Sequence, residues 1–102
     1  MKQAGTRARR AIMVTEPALA LLAAIPPKLS AAGATVLWHL VATLPPKGAY
    51  VNLTALAAEV GLSRVQVTRC TQDLVALNCL VRGPKEGSVY LYQLNPAFFH
   101  PL

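Results

Sequence analysis

The chain has 102 residues, 54% of them apolar but only 6% aromatic, and a net charge of +6 at pH 7, with a pI near 9.9. That length suits one domain around an aliphatic core, and no apolar run reaches the roughly 18 residues that a membrane helix needs. So few acids beside so many bases favour an anionic partner, nucleic acid or a membrane surface, over a basic protein that charge merely keeps in solution.

Cys70 and Cys79, like His39 and His100, stand without companions at metal-ligand spacing. The cysteines read as buried free thiols, which fits a reducing cytosol. His39 lies in an apolar helical run and reads as a packed or surface histidine. The sequence offers no nucleophile beside a base, no paired carboxylates and no glycine-rich phosphate loop, so neither an enzyme nor a metal or cofactor site is expected.

Residues 1–14 carry Lys2, Arg7, Arg9 and Arg10 and no acid. They read as a flexible basic arm, able to lie on phosphates, to enter a minor groove or simply to aid solubility. A basic start followed by Ala11 to Val14 has the outline of an export signal, but Glu16 and Pro17 interrupt it. One domain is expected over residues 15–102.

Thr15 to Ile25 predicts a short helix, with Thr15 as cap, Glu16 at the positive end of the dipole and Pro17 in the first turn. Ala18 to Ile25 is apolar all round, and so small a chain can hardly cover such a helix. It is therefore expected to form the interface of a homodimer rather than to contact a membrane. Pro26 and Pro27 end it. Ser30 caps a second helix, Ala31 to Leu44, with Val36, Leu37, Leu40, Val41 and Leu44 inward and Trp38 at the edge. Pro45 and Pro46 stop this helix, Lys47 and Gly48 turn the chain, and Tyr50 to Leu53 alternates like an edge strand.

The most informative stretch is Thr54 to Leu77, TALAAEVGLSRVQVTRCTQDLVAL. Thr54 can cap a short helix, and Gly61 can end it in the left-handed conformation. Ser63 and Gln66 have the spacing of a capping box for the next helix, Ser63 to Leu77. Leu56, Val60, Leu62, Val67 and Cys70 fall where two helices crossing at roughly 90–120° bury side chains. Ala57 is small where the second helix passes over the first. The second helix turns Val67, Cys70, Leu74 and Leu77 inward. It turns Arg64, Gln66, Thr68, Arg69 and Gln72 outward, and these are side chains suited to base edges and phosphates.

This stretch resembles the helix-turn-helix of DNA-binding regulators, in which the second helix enters the major groove. After it, Asn78 suits a left-handed helix end, Leu80 to Arg82 reads as a strand, and Gly83 to Gly87 reads as a turn. Ser88 to Leu94 reads as the return strand, with Tyr90, Tyr92 and Leu94 on one face and Val89, Leu91 and Gln93 on the other. The whole resembles the winged helix-turn-helix family over about Ser30 to Leu94. That implies a mainly α protein with a small antiparallel sheet (α+β), in the order α-α-β-α-α-β-β. The family's hairpin is the wing, which touches DNA beside the recognition helix. Arg82 and Lys85 occupy wing positions, while Glu86 departs from the pattern by weakening the local positive field.

The ending from Tyr92 to Phe99, strand then Asn95-Pro96-Ala97-Phe98-Phe99, is similar to that of winged-helix proteins of bacterial plasmids and phages, including RepL-type replication proteins. Pro96 would end the strand, and the phenylalanines would pin the tail to the core or to a second subunit.

The resemblance implies a cytoplasmic transcription regulator, a repressor, that binds a palindromic double-stranded DNA operator as a homodimer. The residues expected at the DNA are Thr54, Ser63, Arg64, Gln66, Thr68, Arg69, Gln72, Arg82 and Lys85. A plasmid replication initiator binding origin repeats, and a winged helix that binds protein, remain as alternatives.

Overall fold

Caps and turn glycines divide the described chain, residues 11–102 of the computed structural model. Strand β1 (Ile12–Val14) leads into helix α1 (Glu16–Leu22) and helix α2 (Ala31–Thr43). Strand β2 (Ala49–Val51), helix α3 (Leu53–Val60) and helix α4 (Arg64–Ala76) follow. Strands β3 (Leu80–Glu86), β4 (Val89–Leu94) and β5 (Phe99–Pro101) complete the chain. The fold is mixed α/β, with four helices and small antiparallel sheets among the described residues.

The expected order α-α-β-α-α-β-β is contained in this, with a strand added at each end. β1 pairs antiparallel with β5, Val14 opposite Phe99. Ile12 to Val14 is therefore sheet, not arm as expected, and the basic part of the arm, residues 1–10, lies outside the described residues. Thr15 is likewise diverted from its expected role. It stands at the start of α1 without a side-chain cap bond, and its hydroxyl donates to the Ala97 carbonyl at 2.6 Å. α1 stops at Leu22, short of Ile25.

Ser30 caps α2 by accepting the Gly33 N–H at 3.0 Å. The Lys47–Gly48 turn needs its glycine: φ is +84°, and a Cβ there would lie 2.6 Å from the Tyr92 carbonyl oxygen. β2 then ends at Val51, and Asn52, not the expected Thr54, caps α3 by accepting the Ala55 N–H at 3.0 Å. Both residues are good N-caps, but a cap at Asn52 lets Leu53 enter the helix rather than the strand. Gly61 ends α3 in the left-handed region at φ 73°, and Ser63 and Gln66 form the complete capping box at the start of α4. Asn78, at φ 65°, turns the chain out of α4.

The core gathers Val36, Leu37, Leu40 and Leu44 of α2 and its end, Leu56 and Ala57 of α3, and Val67, Cys70 and Leu74 of α4. Cys79, Leu80, Tyr92, Leu94 and Phe99 close it from the sheet side. Thr71 is also buried, its hydroxyl donating to the Thr68 carbonyl at 2.9 Å, whereas Leu77 is only partly buried. With Val67, Cys70, Thr71 and Leu74 turned inward, the opposite side of α4 is committed to solvent by helical geometry.

The main sheet has the order β2-β4-β3. The expected turn over Gly83 to Gly87 is shorter: β3 continues to Glu86 and pairs with Val89, leaving Gly87 and Ser88 to reverse the chain. Gly87 takes φ 62°, as a tight two-residue hairpin requires. Between the pairs Arg82–Tyr92 and Lys85–Tyr90 the register shifts. Gly83 and Pro84 together oppose Leu91, which makes a β-bulge, where a proline without an N–H is tolerated.

Candidate nucleic-acid interface

α4 sets out the first part of the site. Its buried residues fix which way the rest point: at 100° per residue, Val65, Arg69, Gln72 and Ala76 lie farthest from Val67, Cys70 and Leu74. All four are exposed, and Thr68 is half-buried beside them. Arg64, Val65, Thr68, Arg69 and Gln72 line one shallow depression of about 300 Å³.

Arg64 reaches away from that face. Its Nη1 donates to Thr54 Oγ1 at 3.0 Å, which ties the start of α4 to the first turn of α3. Both residues line a cleft of about 120 Å³, with Asn52, Ser88, Tyr90 and Tyr92 among its other walls. Arg64 thus belongs to both the α4 face and the cleft, and joins them.

The hairpin supplies the far wall. Cross-strand partners share a face, and the bulge keeps Arg82 and Lys85 on the face of Tyr92 and Tyr90. The Arg82 guanidinium lies 4.6 Å from the Tyr90 ring centroid and the Lys85 ammonium 5.6 Å from it. Such stacking orients a cation without neutralising it. Glu86 pairs with Val89 instead, and so falls on the opposite face of the ribbon. Its carboxylate therefore weakens the field at Tyr90 less than its place in the sequence implies.

Arg64 and Arg69 thus border the α4 depression, and Arg82 and Lys85 stand over Tyr90, a wall of the cleft that Arg64 shares. Among the described residues none of them is paired to a carboxylate; Glu59 Oε1 instead meets His39 Nε2 in a hydrogen bond of 2.9 Å between α2 and α3.

Two expected residues turn out to be occupied locally. Ser63 Oγ accepts the Gln66 N–H at 3.1 Å, and Gln66 Oε1 accepts the Ser63 N–H at 3.0 Å. Gln66 also lies on the flank of α4 away from Arg64, outside both depressions. The Thr68 hydroxyl donates to the Arg64 carbonyl at 2.9 Å. Arg64, Arg69, Gln72, Thr54, Arg82 and Lys85 are therefore gathered on one side, with Thr68 at their edge, while Ser63 and Gln66 build the helix start.

The sequence pattern gives no site role to five of the residues named on this surface: Tyr90 and Tyr92 read only as a strand face, Ser88 as the strand start, Asn52 as part of the alternating segment, and Val65 carries no reading. For Tyr90 the signal was present: an aromatic residue on a return strand opposite two basic residues.

Cys70 and Cys79 are free and buried away from this surface. Burial pushes both thiols above their ordinary value; Asp73 adds to the effect at Cys70, and Arg69 opposes it. No helix among the described residues is long and apolar enough to cross a membrane. Comparison with protein-family models, characterised proteins and solved structures finds no match to this chain.

Proposed function

We propose that this chain is a winged helix-turn-helix regulator that binds double-stranded DNA sequence-specifically, with α4 in the major groove and the β3–β4 hairpin as its wing. The observation that carries this is the run of four unpaired cations from Arg69 through Arg64 to Arg82 and Lys85, on one side of a helix and a hairpin. A face of that sign, with a helix exposed along its length, fits the width and charge of a major groove. Arg69 and Gln72 read base edges, Arg64 and Thr54 hold the backbone at the cleft, and Arg82 and Lys85 hold it at the wing. The reading is of a cytoplasmic binding protein, not an enzyme.

We further propose that it acts as a homodimeric repressor. Support comes from α1 and the turn after it, where Leu19 is 52% and Ile25 93% exposed. Apolar side chains left open there suit a second copy, and two-fold symmetry would place the two α4 helices in successive major grooves about 34 Å apart. Occupying a site near a promoter would exclude polymerase.

The test is selection of bound duplexes from a random pool, followed by footprinting. An inverted repeat with half-sites one turn apart is expected. Direct repeats would instead favour a replication initiator, the alternative that the Asn95-Pro96-Ala97-Phe98-Phe99 ending supports. No retention of any duplex at about 50 mM salt, where phosphate contacts are strongest, overturns DNA binding itself.

A further inference from the structure

Val65 is 72% exposed and occupies the second position of α4. Nothing in the fold accounts for it. A β-branched residue there neither favours the helix nor buries its methyl groups. Its place is nonetheless specific: it stands on the outermost line of the helix with Arg69 and Gln72, and it lines the same depression as Arg64 and Arg69. It is the apolar member of an otherwise polar, cationic face, at the end of the helix that lies deepest when such a helix enters a major groove.

We infer that Val65 is a specificity-determining residue that packs against the 5-methyl group of a thymine. This rests on the DNA-binding reading above and adds a base preference to it. Among the four bases only thymine shows a methyl group in the major groove, and an apolar side chain is the complement to it. Cytosine has only a hydrogen at that position, beside its N4 donor, and the purines present hydrogen-bonding atoms, which a valine can only desolvate. Arg69 lies one helical turn further on, about 6 Å along the axis. It is therefore spaced to take a neighbouring base pair rather than to compete for the same one.

The experiment replaces each thymine of the selected site in turn by deoxyuridine, which removes the methyl group and leaves the pairing edge intact. Binding is then measured for the wild-type chain and for Val65→Ala. The wild type is expected to lose about fourfold in affinity at one thymine in each half-site, the weight of one methyl group. Val65→Ala is expected to bind the thymine site about that much more weakly and to be indifferent to deoxyuridine there. Because the side chain is exposed and alanine is the better helix former, Val65→Ala should melt at or slightly above the wild type, so weaker binding cannot be laid to unfolding. Indifference of the wild type at every thymine overturns the inference, as does an unchanged deoxyuridine effect in Val65→Ala. Either result leaves DNA binding standing, whereas failure of the wild type to retain any duplex at low salt removes both.

Discussion

Arg82 and Lys85 are three positions apart on one strand, yet both stand over the ring of Tyr90. Strict alternation would have put them on opposite faces. The bulge at Gly83 and Pro84 is what brings them to one side, and the same shift sends Glu86 to the other.

That relationship predicts an unequal pair of deletions. Removing Pro84 alone takes out the extra residue and leaves Lys85 opposite Tyr90, so DNA affinity should stay close to that of the wild type. Removing Gly83 and Pro84 together moves Lys85 opposite Leu91 and brings Glu86 opposite Tyr90. Affinity should then fall further than in Lys85→Ala, because an acid replaces the lost cation. In titrations against salt, Lys85→Ala should lower the slope of log K by about 0.9, one phosphate contact. Equal losses in the two deletions would mean that the faces of the wing do not matter.

Ser63 and Gln66 were legible as a capping box because both halves of the signal lie within one helical turn, and Gly61 because one residue alone decides its conformation. The β1–β5 ribbon was not. Each strand is three residues long, so neither shows a period, and the partner of Val14 lies at the far end of the chain. Gly83 to Gly87 reads as a turn by composition, since a bulge uses the same residues. Within the site, charge type was visible in the sequence, and so was the capping box; what the residue list does not decide is that Ser63 and Gln66, once spent on that box, are not also free for the interface.

Gln66 and Arg69 should therefore separate cleanly. Gln66→Ala removes the reciprocal half of the capping box and should cost about 0.5–1 kcal/mol of folding stability. Its preference among DNA sequences should be unchanged. Arg69→Ala should leave the urea midpoint in place but cost about 1–3 kcal/mol on the selected site, and less on random duplex. Loss of the same size on both duplexes would assign Arg69 to the phosphates. A changed sequence preference in Gln66→Ala would return that residue to the interface.

Two glycines with similar backbone angles should respond differently to alanine. At Gly61, φ is 73° and no atom lies within 4 Å of an added Cβ. Gly61→Ala should cost about 1–2 kcal/mol, the price of the left-handed conformation alone. At Gly48 the added Cβ would also meet the Tyr92 carbonyl oxygen at 2.6 Å and Gln93 Cβ at 3.0 Å. The obstacle is the central strand of the sheet, which cannot yield locally, so Gly48→Ala should cost about 3 kcal/mol or more. Urea titrations of the two variants measure the difference.

Asn95 ties the tail to the end of α4. Its Nδ2 donates to the Asn78 carbonyl at 2.8 Å, and its Oδ1 accepts the Ala97 N–H at 3.0 Å. Its carbonyl also accepts from Phe98 and Phe99, each at 2.9 Å. Asn95→Ala removes the side-chain bonds and should cost about 1–3 kcal/mol. The damage should be local: amide exchange at Val14 and Phe99 should quicken more than at Leu74. Trp38, the one tryptophan, packs edge-on against Phe99 with ring centroids 6.3 Å apart, so its fluorescence reports the same loosening. Uniform quickening across α4 would show that the tail supports the whole domain.

Cys79 lowers stability on the alkaline side. It is fully buried, and burial holds its thiol above the ordinary value of 9.0. Well below pH 9 both the folded and the unfolded chain keep the proton, so the group has no effect on stability. Above pH 9 the unfolded chain releases the proton while the folded chain retains it, and stability must fall as pH rises. Cys70, raised in the same direction, adds to the fall. Cys79→Ala removes one titrating group from the core, so its stability curve should run flatter above pH 9 than that of the wild type, although it starts lower for the lost packing. Native thiol labelling at pH 8 should be slow and should track the rate of unfolding. Parallel curves for Cys79→Ala and the wild type above pH 9, or rapid labelling of the folded chain, would show that this thiol is open to solvent.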